Sequence, residues 1–273
     1  MGPADVAPNT DRMATMRLIS LCPSLTELVF ALDRGSDLVG ITNFCIHPRG
    51  RVETLEKVRG TKNPNVERII ELQPDLVLLN EEENRIEDAR ALEAAGVPTL
   101  TTFPKTVADT AQMVRTISKA LQSEPAGDRI AAEITRRMQA VSQAAAQDPR
   151  PTRFAYLIWR APWMTVNADT YSSALLELAG GVNVFAERQP RYPRFEPEEL
   201  AQLEPDRILL ASEPFHFEQR HIDELAALTG LPARRCRLVD GEHLSWFGSR
   251  TPAGIDYARS LFAPDPSTSG APP

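Results

Sequence analysis

Two stretches of the chain have nearly the same sequence, and this duplication constrains the fold more than any other feature. Residues 67–79 read ERIIELQPDLVLL and residues 198–210 read EELAQLEPDRILL, with six of thirteen positions identical and a constant offset of 131. Each copy predicts a short helix, a break at Pro-Asp and a buried strand. A helix–strand unit repeated at this distance predicts two similar lobes, and ligand clefts commonly lie between lobes.

Length, charge and cysteine usage limit the class of protein. The 273 residues are enough for two cores of ordinary domain size. A net charge of −7 argues against a nucleic-acid partner, and no apolar run approaches the ~20 residues of a membrane span. The three cysteines, Cys22, Cys45 and Cys236, suit a reducing compartment better than a disulfide framework.

The N-terminus shows no basic segment followed by an apolar one, which is the pattern of a secretory leader. The sequence therefore predicts a cytoplasmic protein. A periplasmic or cell-surface location is the alternative if a leader has been removed. We expect residues 1–15 to be flexible and residues 263–273, rich in Pro and Ser, to be a disordered tail.

Predicted strands and helices alternate in both halves, which indicates an α/β fold with mostly parallel sheets. We expect an N-terminal lobe over residues 16–122 and a C-terminal lobe over residues 150–262. Between them, residues 123–149 predict one long linking helix of about 30 Å, because apolar side chains recur at helical spacing. An ordinary surface helix of either lobe is the alternative. In the first lobe, Ser24 is predicted to cap a helix in a capping box with Glu27.

Polar loops follow several predicted strands, and ligands bind at the carboxyl ends of strands in open α/β sheets. The segment FCIHP, residues 44–48, places a thiol and an imidazole two residues apart. Cys45 and His47 are therefore candidate ligands for a metal ion or a metal chelate. One cysteine and one histidine do not complete a zinc site, and a packed turn without metal is the alternative.

Two further polar loops lie on either side of the first copy of the repeat. Residues 60–65 offer donors for an anionic or amide-bearing ligand, with Lys62 and Asn63 as candidates, although a helix-capping turn is the alternative. Three carboxylates, residues 81–83, follow the repeat's strand. They suit a solvated helix start, favoured by the helix dipole, or a ligand-facing position, for which Glu82 is the candidate.

All three tryptophans of the chain lie in two loops. Trp159 and Trp163 belong to WRAPW, and Trp246 belongs to GEHLSWFGSR, residues 241–250. Aromatic walls suit a flat or bulky ligand, so these residues are candidate binding groups, together with Ser249 and Arg250. Arg250 is suited to pair with a carboxylate or phosphate. Core packing between the lobes is the alternative.

Patterns of known catalytic and nucleotide-binding sites are missing from the sequence. It contains no GxGxxG, no Walker loop, no GxSxG elbow and no HExxH. The chain is therefore predicted to bind a ligand and not to be an enzyme.

Four segments carry a family resemblance: RLISLCPSLTELVFAL, VERIIELQPDLVLL, LLELAGGVNVFA and PEELAQLEPDRILL. With the long linking helix, they resemble the class III periplasmic-type substrate-binding proteins over residues 16–262. This family includes the vitamin B12-binding and iron-chelate receptors of ABC importers, also called helical-backbone metal receptors. The resemblance implies two Rossmann-like lobes with a ligand cleft between them. Because the linking helix resists wide hinge closure, we expect only small lobe motions on binding. It also implies a monomer that reversibly binds cobalamin, another corrinoid or an iron chelate, without a covalent cofactor.

The resemblance also implies roles for individual residues. Glu67 and Glu198, at the start of the repeated helix, match the glutamates with which B12-binding members dock onto arginines of their permease. Plain acidic residues at helix N-termini are the alternative for both. Tyr192 matches a cleft aromatic that precedes the second repeat.

The sequence is compatible with two other functions. Chelatases have a related two-lobe architecture, so a cytoplasmic metal- or tetrapyrrole-handling protein, chelatase-like or chaperone-like, is the second hypothesis. Cys45, His47 and residues 81–83 would then carry the metal chemistry. An interaction protein with a vestigial cleft is the third.

Overall fold

The computed structural model describes residues 15–147 and 151–263. All but one residue each of the predicted flexible N-terminus and the predicted tail lie outside the described residues. The helices are α1 (Pro23–Ala31), α2 (Val66–Glu71), α3 (Ile86–Ala94), α4 (Val107–Ala120), α5 (Glu124–Ala146), α6 (Tyr171–Leu178), α7 (Pro197–Leu203), α8 (Gln219–Thr229), α9 (Gly241–Ser245) and α10 (Thr251–Phe262). The strands are β1 (Leu18–Ser20), β2 (Leu38–Ile41), β3 (Arg59–Gly60), β4 (Asn63–Pro64), β5 (Leu76–Asn80), β6 (Thr99–Thr102), β7 (Thr152–Trp159), β8 (Met164–Thr165), β9 (Gly181–Asn183), β10 (Arg207–Ala211) and β11 (Cys236–Val239).

Two separate sheets form the two lobes. The first has the order β2-β1-β5-β6, and all of its strands are parallel. In the second, β11, β10, β7 and β9 are parallel neighbours, and the two-residue β8 pairs with β7 in the antiparallel direction. The predicted α/β class, with two lobes of mostly parallel strands, is confirmed.

The repeated sequence forms the same unit in each lobe: α2 leads into β5, and α7 leads into β10. The aspartate of each Pro-Asp break accepts a backbone hydrogen bond from an arginine of the lobe's first strand region. Arg17 N lies 2.8 Å from Asp75 Oδ2, and Arg153 N lies 2.9 Å from Asp206 Oδ2. Each copy of the repeat thus includes a hydrogen bond that fixes where its strand begins relative to the neighbouring strand.

Helix α5 lies between the two sheets in sequence, within the range predicted for a linking helix. Its 23 residues span about 35 Å, and it packs along α4 on one side and α10 on the other. One apolar cluster extends from Leu18 of the first sheet through Ile117 and Ile134 to Phe154 and Phe262 of the second lobe. The two lobes therefore share a core, which favours small relative motions over a wide hinge.

The first helix begins differently from the prediction. Its N-cap is Cys22, Pro23 occupies the first turn, and no side chain caps the helix. Proline is favoured at the first helical position, so the helix starts before Ser24 and the predicted capping box does not form. Ser24 instead contacts the Cys22 thiol at 3.3 Å, and Glu27 turns towards Arg250 of the other lobe.

Candidate ligand cleft

A cavity of about 710 Å³ opens between the two lobes. The first lobe contributes the loops that follow β1, β2 and β5, and the second contributes the ends of β7 and β10 together with α9. The wall is thus built from the carboxyl ends of parallel strands in both sheets, where side chains of adjacent loops converge.

Five predicted ligand-binding residues line this cavity. They are Lys62 and Glu82 from the first lobe and Trp159, Tyr192 and Trp246 from the second. The structure therefore brings together residues that are far apart in the sequence, such as Lys62 and Trp246. These five stay candidates for ligand contact.

Trp163 lies elsewhere, contrary to its predicted place in the cleft. Its side chain is 5% exposed and stacks on Phe217 with ring centroids 6.0 Å apart and planes 6° from parallel. Phe195 and the guanidinium of Arg160 cover it further. This tryptophan fills the apolar core of the second lobe, so the alternative of core packing applies to it.

Three other candidates are not among the residues that line the cavity: Asn63, Ser249 and Arg250. Asn63 is exposed in the short hairpin of β3 and β4, and Ser249 is half-buried at the start of the segment that leads into α10. Because neither residue is among those that line the cavity, the structure gives no support to a direct ligand role for them.

Arg250 connects the two lobes. Its Nε donates to Glu27 Oε2 of the first lobe at 2.5 Å, and its Nη1 donates to Glu242 Oε2 of the second lobe at 2.5 Å. The guanidinium also lies 4.8 Å from the ring centroid of Trp246. Arg250 therefore holds an aromatic wall of the cavity and ties it to the opposite lobe.

A second interlobe tie centres on Glu82. Its carboxylate accepts a hydrogen bond from the Tyr192 hydroxyl and lies 2.9 Å from Arg191 Nη1. Arg191 also pairs with Asp169, which pairs in turn with Lys105 of the first lobe at 2.8 Å. Burial, together with the neighbouring Glu82 charge, raises the pKa of Tyr192, so this hydroxyl stays protonated and acts as a donor.

Cys45 and His47 face different surroundings. The Cys45 sulfur is buried, accepts a hydrogen bond from Thr26 at 3.0 Å, and has its pKa raised by burial. His47 packs edge-on against Trp246 and lies 3.4 Å from Glu242. Among the described residues, no three His, Cys, Asp or Glu side chains are grouped as a metal site. The structure gives no support to a metal ion at this pair.

The cavity wall also contains apolar residues that were not predicted. Phe44 and Ile46 line it from the first lobe and are 59% and 48% exposed, while Trp159, 40% exposed, lines it from the second lobe. Phe44 and Ile46 belong to the FCIHP loop, in which only Cys45 and His47 were predicted to bind. Cys45 is buried while its two apolar neighbours are exposed, and because the segment is a loop without strand alternation the sequence does not show which side chains line the cavity.

The floor of the cavity carries two glutamates, one from each lobe. Glu83 accepts a side-chain hydrogen bond from Thr61, and burial raises its pKa. Burial also raises the pKa of Glu213, which accepts hydrogen bonds from the Ser245 hydroxyl, at 2.9 Å, and from Trp246. The sequence analysis included Glu83 in a polar loop and did not single out Glu213. The sequence alone does not distinguish either residue from an exposed acid.

Stability should depend on pH through Glu83 and Glu213. The folded protein holds these protons to a higher pH than the unfolded chain, because both pKa values are raised above the ordinary 4.5. The free energy of unfolding should therefore fall as pH rises from that value through the raised pKa values. The free energy of unfolding of the variant Glu83→Gln/Glu213→Gln, minus that of wild type, should increase from about pH 4 to about pH 8. Urea unfolding at a series of pH values measures this difference. A difference that is constant over this range, or that decreases, would contradict the prediction.

A family model described as periplasmic binding protein matches residues 18–235. The chain belongs to the periplasmic binding protein family. A vitamin B12-binding protein of Vibrio parahaemolyticus is 28% identical over 245 residues, covering 88% of this chain and 86% of its own. The vitamin B12-binding protein of Yersinia pestis is 27% identical over 250 residues, covering 91% and 85%.

Solved structures share the fold. The periplasmic vitamin B12-binding protein of Vibrio cholerae has a TM-score of 0.78 at 24% identity, over 90% of this chain and 95% of its own. A periplasmic haem-binding protein of Roseiflexus has a TM-score of 0.77 at 24% identity, over 91% and 97%. The predicted family and two-lobe architecture are confirmed.

The family match also bears on activity and location. Proteins of this family bind solutes and are not enzymes, which confirms the prediction of a binding protein and leaves the chelatase-like alternative without support. The two solved structures are described as periplasmic, so the comparisons do not support the expectation of a cytoplasmic protein. Within the described residues, no helix combines the length and apolar character needed to cross a membrane.

Proposed function

We propose that this protein is the receptor of an ABC importer and that it binds a corrinoid, cobalamin first, reversibly and non-covalently in the cleft as a monomer. One observation carries the proposal: a cavity of about 710 Å³ with apolar rims on both lobes. Phe44 and Ile46 of the first lobe and Trp159 and Trp246 of the second all line it, and a wall this rich in apolar and aromatic side chains suits a flat macrocycle. The names of the curated relatives support cobalamin as the ligand, and the periplasmic descriptions of the solved ones support a periplasmic location.

The solved haem-binding neighbours make haem the competing ligand. Isothermal titration with cyanocobalamin, ferric protoporphyrin IX and a ferric siderophore separates the possibilities. We expect saturable one-to-one binding of cyanocobalamin, with the ligand recovered unchanged after the protein is denatured. At a free ligand concentration of 100 Kd, binding should stabilise the fold by about 2.7 kcal/mol. Saturation by haem with no response to any corrinoid would overturn the corrinoid proposal.

We further propose that Glu67 and Glu198 dock onto basic residues of the permease. Both are exposed in the first turns of α2 and α7, and neither forms an ion pair within the part of the chain that the structure describes. Each of these helices precedes a parallel strand and runs back along the sheet, so both glutamates lie at the edge where the cleft opens. Glu67 would thus provide a docking contact on the first lobe, and Glu198 a docking contact on the second.

The double variant Glu67→Lys/Glu198→Lys should reduce uptake by vesicles containing the reconstituted importer at least tenfold. The new lysines would face basic residues of the permease, and like charges facing each other at a docking surface cost several kcal/mol. The variant's affinity for the ligand should stay unchanged. The matched control is Glu93→Lys/Glu124→Lys, which changes the net charge equally at exposed acids near the end of α3 and at the start of α5. Equal loss of uptake in both double variants would contradict the docking role.

A further inference from the structure

Tyr156 lines the cavity and carries a hydroxyl that is unpaired within the described residues. The side chain is 1% exposed and lies on β7. Buried side-chain polar atoms are usually paired, and an exception at the floor of a binding cleft marks a group positioned for the ligand. By contrast, the hydroxyl of Tyr171 on the same wall bonds Thr251 at 3.0 Å.

Glu213 follows β10, the strand that pairs with β7, and lines the same cavity. Two donors, Ser245 and Trp246, fix its carboxylate. A carboxylate has about four acceptor positions, so capacity remains for a ligand donor. Gly241 makes room for this side chain: a Cβ at that position would lie 2.7 Å from Glu213 Cγ and 3.0 Å from its backbone nitrogen.

The charges around the floor disfavour an anionic ligand. Three carboxylates line the cavity, from Glu82, Glu83 and Glu213, and Lys62 is the one Lys or Arg among the described residues that line it. The Lys62 ammonium already donates to the Glu82 carbonyl oxygen at 2.6 Å. Arg191 already pairs with Glu82, and burial raises the pKa values of Glu83 and Glu213. A ligand carboxylate would have to share this partly desolvated site with the latter two acids, either against their charge or by keeping them protonated, whereas a neutral group would not.

We infer that Tyr156 and Glu213 form a subsite for an uncharged carboxamide of the ligand. The Tyr156 hydroxyl donates to the amide carbonyl oxygen, and a carboxyl oxygen of Glu213 accepts from the amide NH₂. The subsite selects macrocycles that carry carboxamide side chains, as complete corrinoids do, over those that carry carboxylates, as haem does. This inference rests on the proposed function and names the ligand feature that sets its specificity. Glu213 is also close enough to add to the rise that burial causes in the pKa of Tyr156.

Titration with cyanocobalamin and its monocarboxylate derivatives, each with one propionamide hydrolysed, tests the subsite. At least one derivative should bind wild type at least tenfold more weakly than cyanocobalamin. Tyr156→Phe should weaken cyanocobalamin binding about 3- to 10-fold, the usual effect of one neutral hydrogen bond. Glu213→Gln should reduce the discrimination against that derivative, because the amide of glutamine removes the negative charge.

A control variant separates ligand contact from general damage. Glu177→Gln neutralises a half-buried acid of the same lobe that does not line the cavity. It should leave the ratio of the two affinities unchanged. The ligand-free Tyr156→Phe protein should melt no lower than wild type, because no hydrogen bond within the protein is lost.

Two results would overturn the inference. One is equal binding of all monocarboxylate derivatives and cyanocobalamin by wild type; the other is unchanged affinities in both Tyr156→Phe and Glu213→Gln. If no corrinoid binds at all, the proposed function fails, and the subsite is then tested with ferric protoporphyrin IX and its diamide. Tighter binding of the diamide, lost in Glu213→Gln, supports the subsite, and equal or weaker binding rejects it.

Discussion

Trp246→Ala is expected to weaken corrinoid binding at least a hundredfold, about 3 kcal/mol. Trp246 lines the cavity, is 9% exposed and donates its indole N–H to Glu213. Arg250 lies over its ring and His47 packs against its edge. Truncation would remove an aromatic wall and free the carboxylate at the floor. Titration with cyanocobalamin at low temperature, where the variant stays folded, measures the effect.

The control for this substitution is Trp163→Ala. Trp163 is buried to a similar extent in the same lobe, at 5% exposed, but does not line the cavity. Both substitutions should cost about 3–5 kcal/mol of stability, as is usual for removing a buried tryptophan. The binding constant measured on folded protein should fall for Trp246→Ala alone. Equal loss of affinity in the two variants would show that Trp246 acts through stability and not through contact.

Arg250→Met is expected to lower the free energy of unfolding by about 2–4 kcal/mol, between the values for exposed and fully buried ion pairs. The Arg250 side chain is 19% exposed and bonds Glu27 and Glu242 on opposite lobes. Methionine has a similar stem but no donor, so two partly buried carboxylates from different lobes would lose their shared partner. Urea unfolding measures the cost.

Arg136→Met is the matched control for that experiment. Arg136 pairs with Glu133 on the surface of α5, where its side chain is 67% exposed. Its loss should cost less than about 1 kcal/mol. A similar cost for both substitutions would mean that the interlobe position of Arg250 adds nothing to stability. Corrinoid binding should also weaken in Arg250→Met alone, because Arg250 holds Trp246 in place.

The repeat at residues 67–79 and 198–210 was sufficient to predict two α/β lobes, because local helix and strand signals at a fixed offset survive in both copies. The aromatic loops were located as well, but their side-chain directions were not. Trp159 and Trp163 are four residues apart in the same loop region, yet one lines the cavity and the other fills the core. Only the packing of Phe195 and Phe217 decides between these positions, and that packing is tertiary.

The floor of the cleft was not predictable for a different reason. Tyr156 lies in an apolar strand, where its pattern indicates core, and Glu213 follows another strand without any motif. Tyr156 and Glu213 come close together because β7 pairs with β10, and these strands are far apart in the sequence. The structure does not support a metal site at Cys45 and His47. Their spacing in the sequence does not determine where the two side chains point, and they lie in different surroundings.

The apolar cluster that joins Leu18 to Phe262 has a consequence for the history of the chain. A single copy of the repeated unit would expose the apolar surface that the two lobes now share, and separate copies would have to associate to cover it. The protein is in this sense an internal dimer whose subunits are covalently linked. Association of its halves is therefore independent of protein concentration, and the walls of the cleft stay paired however dilute the receptor becomes.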